Sequence, residues 1–317
     1  MNGLKNIKKI KGDASSRKFF RKKENGSTSI IIFSRKEKFK NLLIYDAVNK
    51  ILIKNNILAP SLYKQNYEKN YLEIQDFGKK TLHDVLIRKK KRFSYFKKIV
   101  EVLNRIQLIK NRNIQNFKKK KFNLKIYNES ILINEACLFC DWYMKNKLSK
   151  KETIKFTRDF KKIVKKLILQ LKLKNNTFVH RDFHVSNLML VDKEIGVIDS
   201  QDAIIGNEAY DFASLVDDVR LKTSKELKDK IYNFYVYKKN ELEKKKFKND
   251  FEILSVLRNL KIIGIFTRLA IRDKKRNYLR LIPHAWELIE MRIKNNDKFY
   301  ELRNLIKKIK KKKLNEN

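Results

Sequence analysis

Twenty residues in the second half of the chain, from His180 to Asp199, constrain the fold most. They read His180-Arg-Asp-Phe-His-Val-Ser-Asn-Leu-Met189 and close on Gly196-Val-Ile-Asp199. Four residues separate Asp182 from Asn187, and Asp199 lies twelve beyond Asn187. Short apolar runs flank the polar groups: Thr177-Phe-Val179, Leu188-Met-Leu-Val191 and Ile195-Gly-Val-Ile198. Runs of this length bounded by polar loops are buried strands. The pattern therefore predicts a β-loop-β element with its three polar side chains on one edge. Those side-chain types suit phosphoryl transfer. Asp182 can take or orient a hydroxyl proton. Asn187 offers a carbonyl oxygen and Asp199 a carboxylate, both hard ligands for Mg²⁺. Only nine residues, Ser200 to Glu208, lie between Asp199 and the helical pattern beginning at Ala209. That leaves no room for a peptide-binding activation segment, so the acceptor is expected to be a small molecule.

The rest of the chain reads as a β-rich start followed by helices. Phe19-Phe20 and Ser29 to Phe33 flank Lys22-Lys-Glu-Asn-Gly26, a hairpin signal with Asn-Gly at its tip. Residues 1–11 read as a basic lead-in and Gly12 to Ser16 as a turn. Residues 39–56 have helical apolar spacing, Leu62-Tyr63 and Tyr71 to Gln75 read as a strand pair, and Asp76-Phe-Gly78 ends this region. Helices are expected over 81–88, 93–110, 130–148 and 151–174, and again from Ala209 to about 311, with a frayed basic end. The expected class is α+β and two-lobed, with a small β-rich N-lobe over 1–78 and a helical C-lobe over 79–317 that carries the β-loop-β element.

Composition removes other classes. With 7 Gly and 2 Pro in 317 residues, collagen, low-complexity linkers and turn-dense sandwiches are excluded. Cys137 and Cys140 are the only cysteines, too few for a disulfide framework or a four-coordinate zinc site. They are expected as core thiols on a helix in a reducing compartment. No apolar run follows Met1 and no stretch of 18 apolar residues occurs, so a cytoplasmic chain without a membrane span is expected. The net charge of +42 suits a polyanion partner, but it also follows from A/T-rich codon usage. Lys supplies 60 of the 77 basic residues, where a selected nucleic-acid surface favours Arg, so no specific nucleic-acid partner is expected.

Four segments carry a family resemblance. They are Gly12-Asp-Ala-Ser-Ser-Arg-Lys-Phe-Phe-Arg21, Leu72-Glu-Ile-Gln-Asp-Phe-Gly78, His180 to Asp211 with Asp199-Ser-Gln-Asp202, and the stretch from Lys261 to Pro283. Together they make the chain resemble the aminoglycoside phosphotransferase superfamily, and within it the anomeric amino-sugar kinases. The resemblance implies a protein-kinase-like fold, ATP and Mg²⁺, and a small sugar acceptor bound by a monomer. It implies phosphorylation of the anomeric hydroxyl of N-acetylmuramate or N-acetylglucosamine in cell-wall recycling. An aminoglycoside, choline or another small alcohol is the alternative acceptor. By this likeness Asp182 is the catalytic base, and Asn187 and Asp199 hold the metal. Gly12, Asp13, Ser15, Arg17, Gln75 and Phe77 contact the nucleotide. Gln201, Asp202 and Trp142 border the acceptor. His180 and Asp211 support the loop, and His184 stands where related small-molecule kinases carry a histidine. The turn at Gly12–Ser16 agrees physically, since its backbone N–H groups and the Ser15 hydroxyl can face phosphates. It is not a Walker A loop, because the G-x-x-x-x-G-K pattern is missing.

Overall fold

The computed structural model describes residues 6–10, 17–34 and 41–314. The chain divides into two compact units, Met1–Lys125 with Thr177–Ile205, and Ile126–Asn176 with Gly206–Asn317.

The first unit is built on a five-stranded antiparallel sheet of β1 (Ile7–Ile10), β2 (Lys18–Glu24), β3 (Ser27–Phe33), β4 (Leu62–Asn66) and β5 (Tyr71–Gln75), in the order β1-β2-β3-β5-β4. The β2–β3 hairpin turns at Asn25 and Gly26, both at positive φ (48° and 77°), which matches the right-handed twist of the strands. Sequence spacing places Ile32 on the covered face of β3. Helix α1 (Asn41–Lys54) lays Leu42 and Tyr45 on that face, where Ile32, Leu72 and Ile74 complete a buried cluster. Part of the basic lead-in is a strand, which the sequence reading did not give. Its Ile7-Lys-Lys-Ile10 pairs with β2, Ile10 opposite Phe19, because an open strand edge recruits even a four-residue partner.

After the sheet come α2 (Leu82–Leu86) and α3 (Phe93–Gln107). Thr81 caps α2 in a reciprocal box with Asp84. A small hairpin, β6 (Asn113–Gln115) with β7 (Lys121–Asn123), follows and was not legible in the sequence. The remaining strands of this unit are β8 (Thr177–Val179), β9 (Leu188–Val191), β10 (Glu194–Val197) and β11 (Ile204–Gly206), paired β9 with β10 and β8 with β11. The expected β-loop-β element is therefore present, and β11 is an addition to it.

The second unit is helical: α4 (Glu129–Leu138), α5 (Lys150–Leu169), α6 (Ala209–Val216), α7 (Lys225–Val236), the 31-residue α8 (Glu241–Ile271), α9 (Ile282–Ile293) and α10 (Tyr300–Leu314). The helix expected over 130–148 is not uniform. It is α-helical to Leu138 and π-helical from Phe139 to Met144. Gly264 of α8 explains the change. A Cβ there would stand 2.2 Å from the Leu138 carbonyl oxygen, so the two backbones touch where the winding loosens. Cys137 and Cys140 are free and buried, as expected of core thiols. Among the described residues no helix is long and apolar enough to cross a membrane.

Candidate active site

The site is assembled by the turn from β8 into β9 and by the end of β10. The register sets Leu188 opposite Val197. One step further out, the Ile198 N–H donates to the Asn187 carbonyl at 3.1 Å, so Asn187 and the residue before Asp199 lie side by side. Within the loop, the His184 N–H donates to the Asp182 carbonyl at 3.0 Å and the Asn187 N–H to the His184 carbonyl at 2.9 Å. Asn187 Nδ2 donates to the Asp182 carbonyl at 3.1 Å. The four-residue gap between Asp182 and Asn187 is thus one closed turn, and the amide of Asn187 is tied to the residue that bears the candidate base.

His180 is fully buried, and its Nε2–H donates to the Ile198 carbonyl at 3.1 Å. A carbonyl oxygen can only accept, so the ring is committed at Nε2 to bracing one strand against the other. Asp182 is half-buried, and its carboxylate has no hydrogen-bond or ion-pair partner among the described residues. A carboxylate left unpaired in a turn is available to a substrate hydroxyl.

Asp199 adopts left-handed backbone angles, φ 64° and ψ 40°, as does Arg181 at φ 72°. Non-glycine residues in this region cost about 1–3 kcal/mol and persist where the surroundings impose them. Here the surroundings come from α1. The Ser200 hydroxyl, wholly buried, donates to Asn49 Oδ1 at 2.6 Å, and Asn49 Nδ2 donates to the Pro60 carbonyl at 3.0 Å. The Val197 N–H donates to the Leu58 carbonyl at 2.8 Å. Asn49 and Ser200 were not singled out in the sequence. The one signal was a polar Asn among the apolar positions of the 39–56 helix.

Arg17 ties Asp199 to Gln201. Arg17 Nη2 lies 2.6 Å from Asp199 Oδ1, and its Nη1 donates to Gln201 Oε1 at 2.8 Å. Gln201 is buried and its Nε2 donates to Asp202 Oδ2 at 2.9 Å, while Asp202 is exposed. Tyr45 of α1 is close enough to feel the charges of Arg17 and Asp199, and burial pushes its hydroxyl up to about 12.

The segment after β5 meets this element from the other side. The Phe77 ring lies on Gly196 of β10, where a Cβ would approach a ring carbon to 2.7 Å. Gln75 closes β5, its N–H donating to the Ser61 carbonyl at 2.9 Å. Burial raises the Asp76 carboxyl, but two bonds from Arg21 and the Gly78 N–H outweigh it and hold it below the usual carboxylate range. The structure thus gathers Asp182, Asn187, Asp199, Gln201 and Asp202 on one stretch of chain, with Arg17 bonded to it from the start of β2, Phe77 packed on it and Gln75 in the same unit. Asp211, buried in the first turn of α6, and Trp142, half-buried in the π-helical turn, belong to the second unit. Gly12, Asp13 and Ser15 lie outside the described residues.

The donor set fits a hard divalent cation. Asn187 spends its Nδ2 on the loop, which leaves Oδ1 for a metal, and Asp199 keeps its second oxygen beyond Arg17. No group of three His, Cys, Asp or Glu is poised for metal among the described residues. Two protein oxygens with phosphates and water suit Mg²⁺, which seldom takes an all-protein cage.

Comparison with known proteins agrees with this chemistry. The profile of the phosphotransferase enzyme family matches residues 6–239. An N-acetylmuramate/N-acetylglucosamine kinase of Pseudomonas aeruginosa is 27% identical over 301 residues, 93% of this chain and 86% of that one. A kinase of the same description from Neisseria meningitidis is 25% identical, over 86% of this chain and 80% of its own. Among solved structures, a choline/ethanolamine kinase family protein from Mesorhizobium loti superimposes with a TM-score of 0.65 at 8% identity, covering 96% of this chain and 93% of that one. An ADP-bound aminoglycoside phosphotransferase gives 0.60 at 15% identity, over 90% and 93%. These structural likenesses show the protein-kinase-like fold.

Proposed function

Because the chain belongs to the phosphotransferase enzyme family and is a phosphotransferase with an alcohol group as acceptor, we propose that it transfers the γ-phosphoryl group of ATP to the anomeric hydroxyl of an amino sugar. N-acetylmuramate and N-acetylglucosamine are the acceptors assigned, and recycling of cell-wall sugars in the cytoplasm is the setting. The observation that carries this reading is the closed turn joining Asp182 to Asn187, with the Asn187 carbonyl bonded to Ile198 next to Asp199. The names of the Pseudomonas and Neisseria relatives supply the acceptor class.

Asp182, without an internal partner among the described residues, accepts the proton of the attacking hydroxyl and orients its lone pair in line with the γ-phosphorus. Asn187 and Asp199 would hold Mg²⁺, which when bound offsets charge on the phosphate oxygens. His180 keeps the loop closed. Residues 1–78, with Gly12, Asp13, Ser15, Arg17, Gln75 and Phe77, serve the nucleotide. Residues 79–317 serve the acceptor, with Gln201 and Asp202 beside it.

Phosphorus NMR of purified protein with ATP, Mg²⁺ and a panel of acceptors tests the reading. An acid-labile anomeric sugar phosphate from N-acetylmuramate or N-acetylglucosamine is expected. Phosphorylation of choline or an aminoglycoside with neither sugar turned over would replace the acceptor assignment and leave the phosphotransferase in place.

A further inference from the structure

The Arg17 guanidinium does not lie free beside the site. It bridges the Asp199 carboxylate and the Gln201 side-chain carbonyl of the same turn, at 2.6 and 2.8 Å. Its side chain is 6% exposed, against 33% for Asp199, and the Phe19 ring covers it at 5.5 Å. The bond therefore sits where water screens it poorly. A charged group in such a place holds its partner strongly and is costly to strand.

This bears on how a divalent cation reaches Asp199. A metal ion arriving alone meets a carboxylate whose charge Arg17 already offsets through Oδ1, and it places two positive groups side by side. A nucleotide changes the balance. Its polyphosphate presents planar pairs of oxygens that match the guanidinium fork. Arg17 directly follows the segment Gly12–Ser16, assigned above to the phosphates on sequence grounds. Once Arg17 turns to the phosphates, Asp199 is released and the same phosphates complete the metal's ligand set.

We propose that Arg17 is an exchangeable counter-ion of Asp199, so that the protein takes up its divalent cation together with nucleotide and only weakly without it. The inference rests on the assignment of Asp199 to the metal. It gives Arg17 two successive partners and makes cation and nucleotide binding mutually reinforcing. Linkage requires that coupling to be reciprocal.

The test uses Mn²⁺ and ADP on the full chain without acceptor, so no turnover enters. Mn²⁺ binding is followed by electron paramagnetic resonance and ADP binding by calorimetry. In the wild type, ADP is expected to bind at least about tenfold more tightly with Mn²⁺ than without, and Mn²⁺ alone weakly. Arg17→Met is expected to bind Mn²⁺ alone about tenfold more tightly than the wild type, and metal-free ADP more weakly. Mn²⁺ alone binding equally to both chains would overturn the proposal. Should Arg17→Met not fold, the wild-type ratio decides, since ADP affinity indifferent to Mn²⁺ overturns it equally. Asp199→Asn separates the two levels. Unaltered Mn²⁺·ADP binding in that variant removes Asp199 from the metal site itself, whereas its loss beside a silent Arg17→Met condemns only the exchange.

Discussion

Asp182 differs from most carboxylates of the chain in having nothing to neutralise it among the described residues. Replacing it with Asn keeps shape and removes the proton acceptor. Asp182→Asn is expected to lower kcat by about 10²–10⁴ with KM for ATP little changed and an unaltered melting curve. An equal turnover number would dismiss Asp182 as the base. Asn49 acts through another residue. It accepts the buried Ser200 hydroxyl and so steadies the left-handed turn at Asp199. Asn49→Leu leaves that hydroxyl unpaired, at a cost of about 1–3 kcal/mol in urea unfolding. A structural role alone would not also raise KM for Mg²⁺, which is the expected second effect. Asp182, Asn187 and Asp199 were legible because their chemistry is local and their spacing unusual. Asn49 was not, because its partner Ser200 is 151 positions away.

Elements meet at contacts that a single carbon can spoil. Gly196 gives Phe77 its seat on β10, so Gly196→Ala forces the ring aside. A loss of about 1–3 kcal/mol is expected, relieved in part by pairing it with Phe77→Leu. Gly264 is less forgiving, since its obstacle is backbone at 2.2 Å rather than a movable ring. Four helices are joined by one carboxylate. Asp217, at the end of α6, takes Lys228 of α7 at 3.0 Å, Ser255 of α8 at 2.5 Å and Arg292 of α9 at 2.9 Å. Burial raises this acid, but the two cations outweigh burial and hold it well below its ordinary value. A depressed folded pKa stabilises above the unfolded value near 4 and is lost as pH falls through the folded one. Acid unfolding of the wild type should therefore steepen below about pH 4. Asp217→Ala should lose about 3–5 kcal/mol at neutral pH, because buried Lys228 and half-buried Arg292 are stranded. Equal acid sensitivity of the two chains would refute this assignment.

Over the whole molecule the charge of +42 is a standing repulsion that folding concentrates. Added salt shortens its range from about 30 Å at 0.01 M to about 8 Å at 0.15 M. The melting temperature is expected to rise with NaCl across that interval in calorimetric scans, and a fall would mean that ion pairs outweigh the repulsion. Periodicity alone determined the β-rich beginning, the helical remainder and the polar string from His180 to Asp199, since each depends on neighbours within a few residues. The tertiary structure decided what depends on distant partners. The edge strand Ile7–Ile10 exists because β2 offers it an open side, and the π-helical turn after Leu138 exists because Gly264 lets α8 approach. Arg17 lies on Asp199 because the sheet and the β-loop-β element, 182 residues apart in the chain, fold into one unit. Contacts over such separations are set by packing of whole surfaces, a property no window of sequence contains.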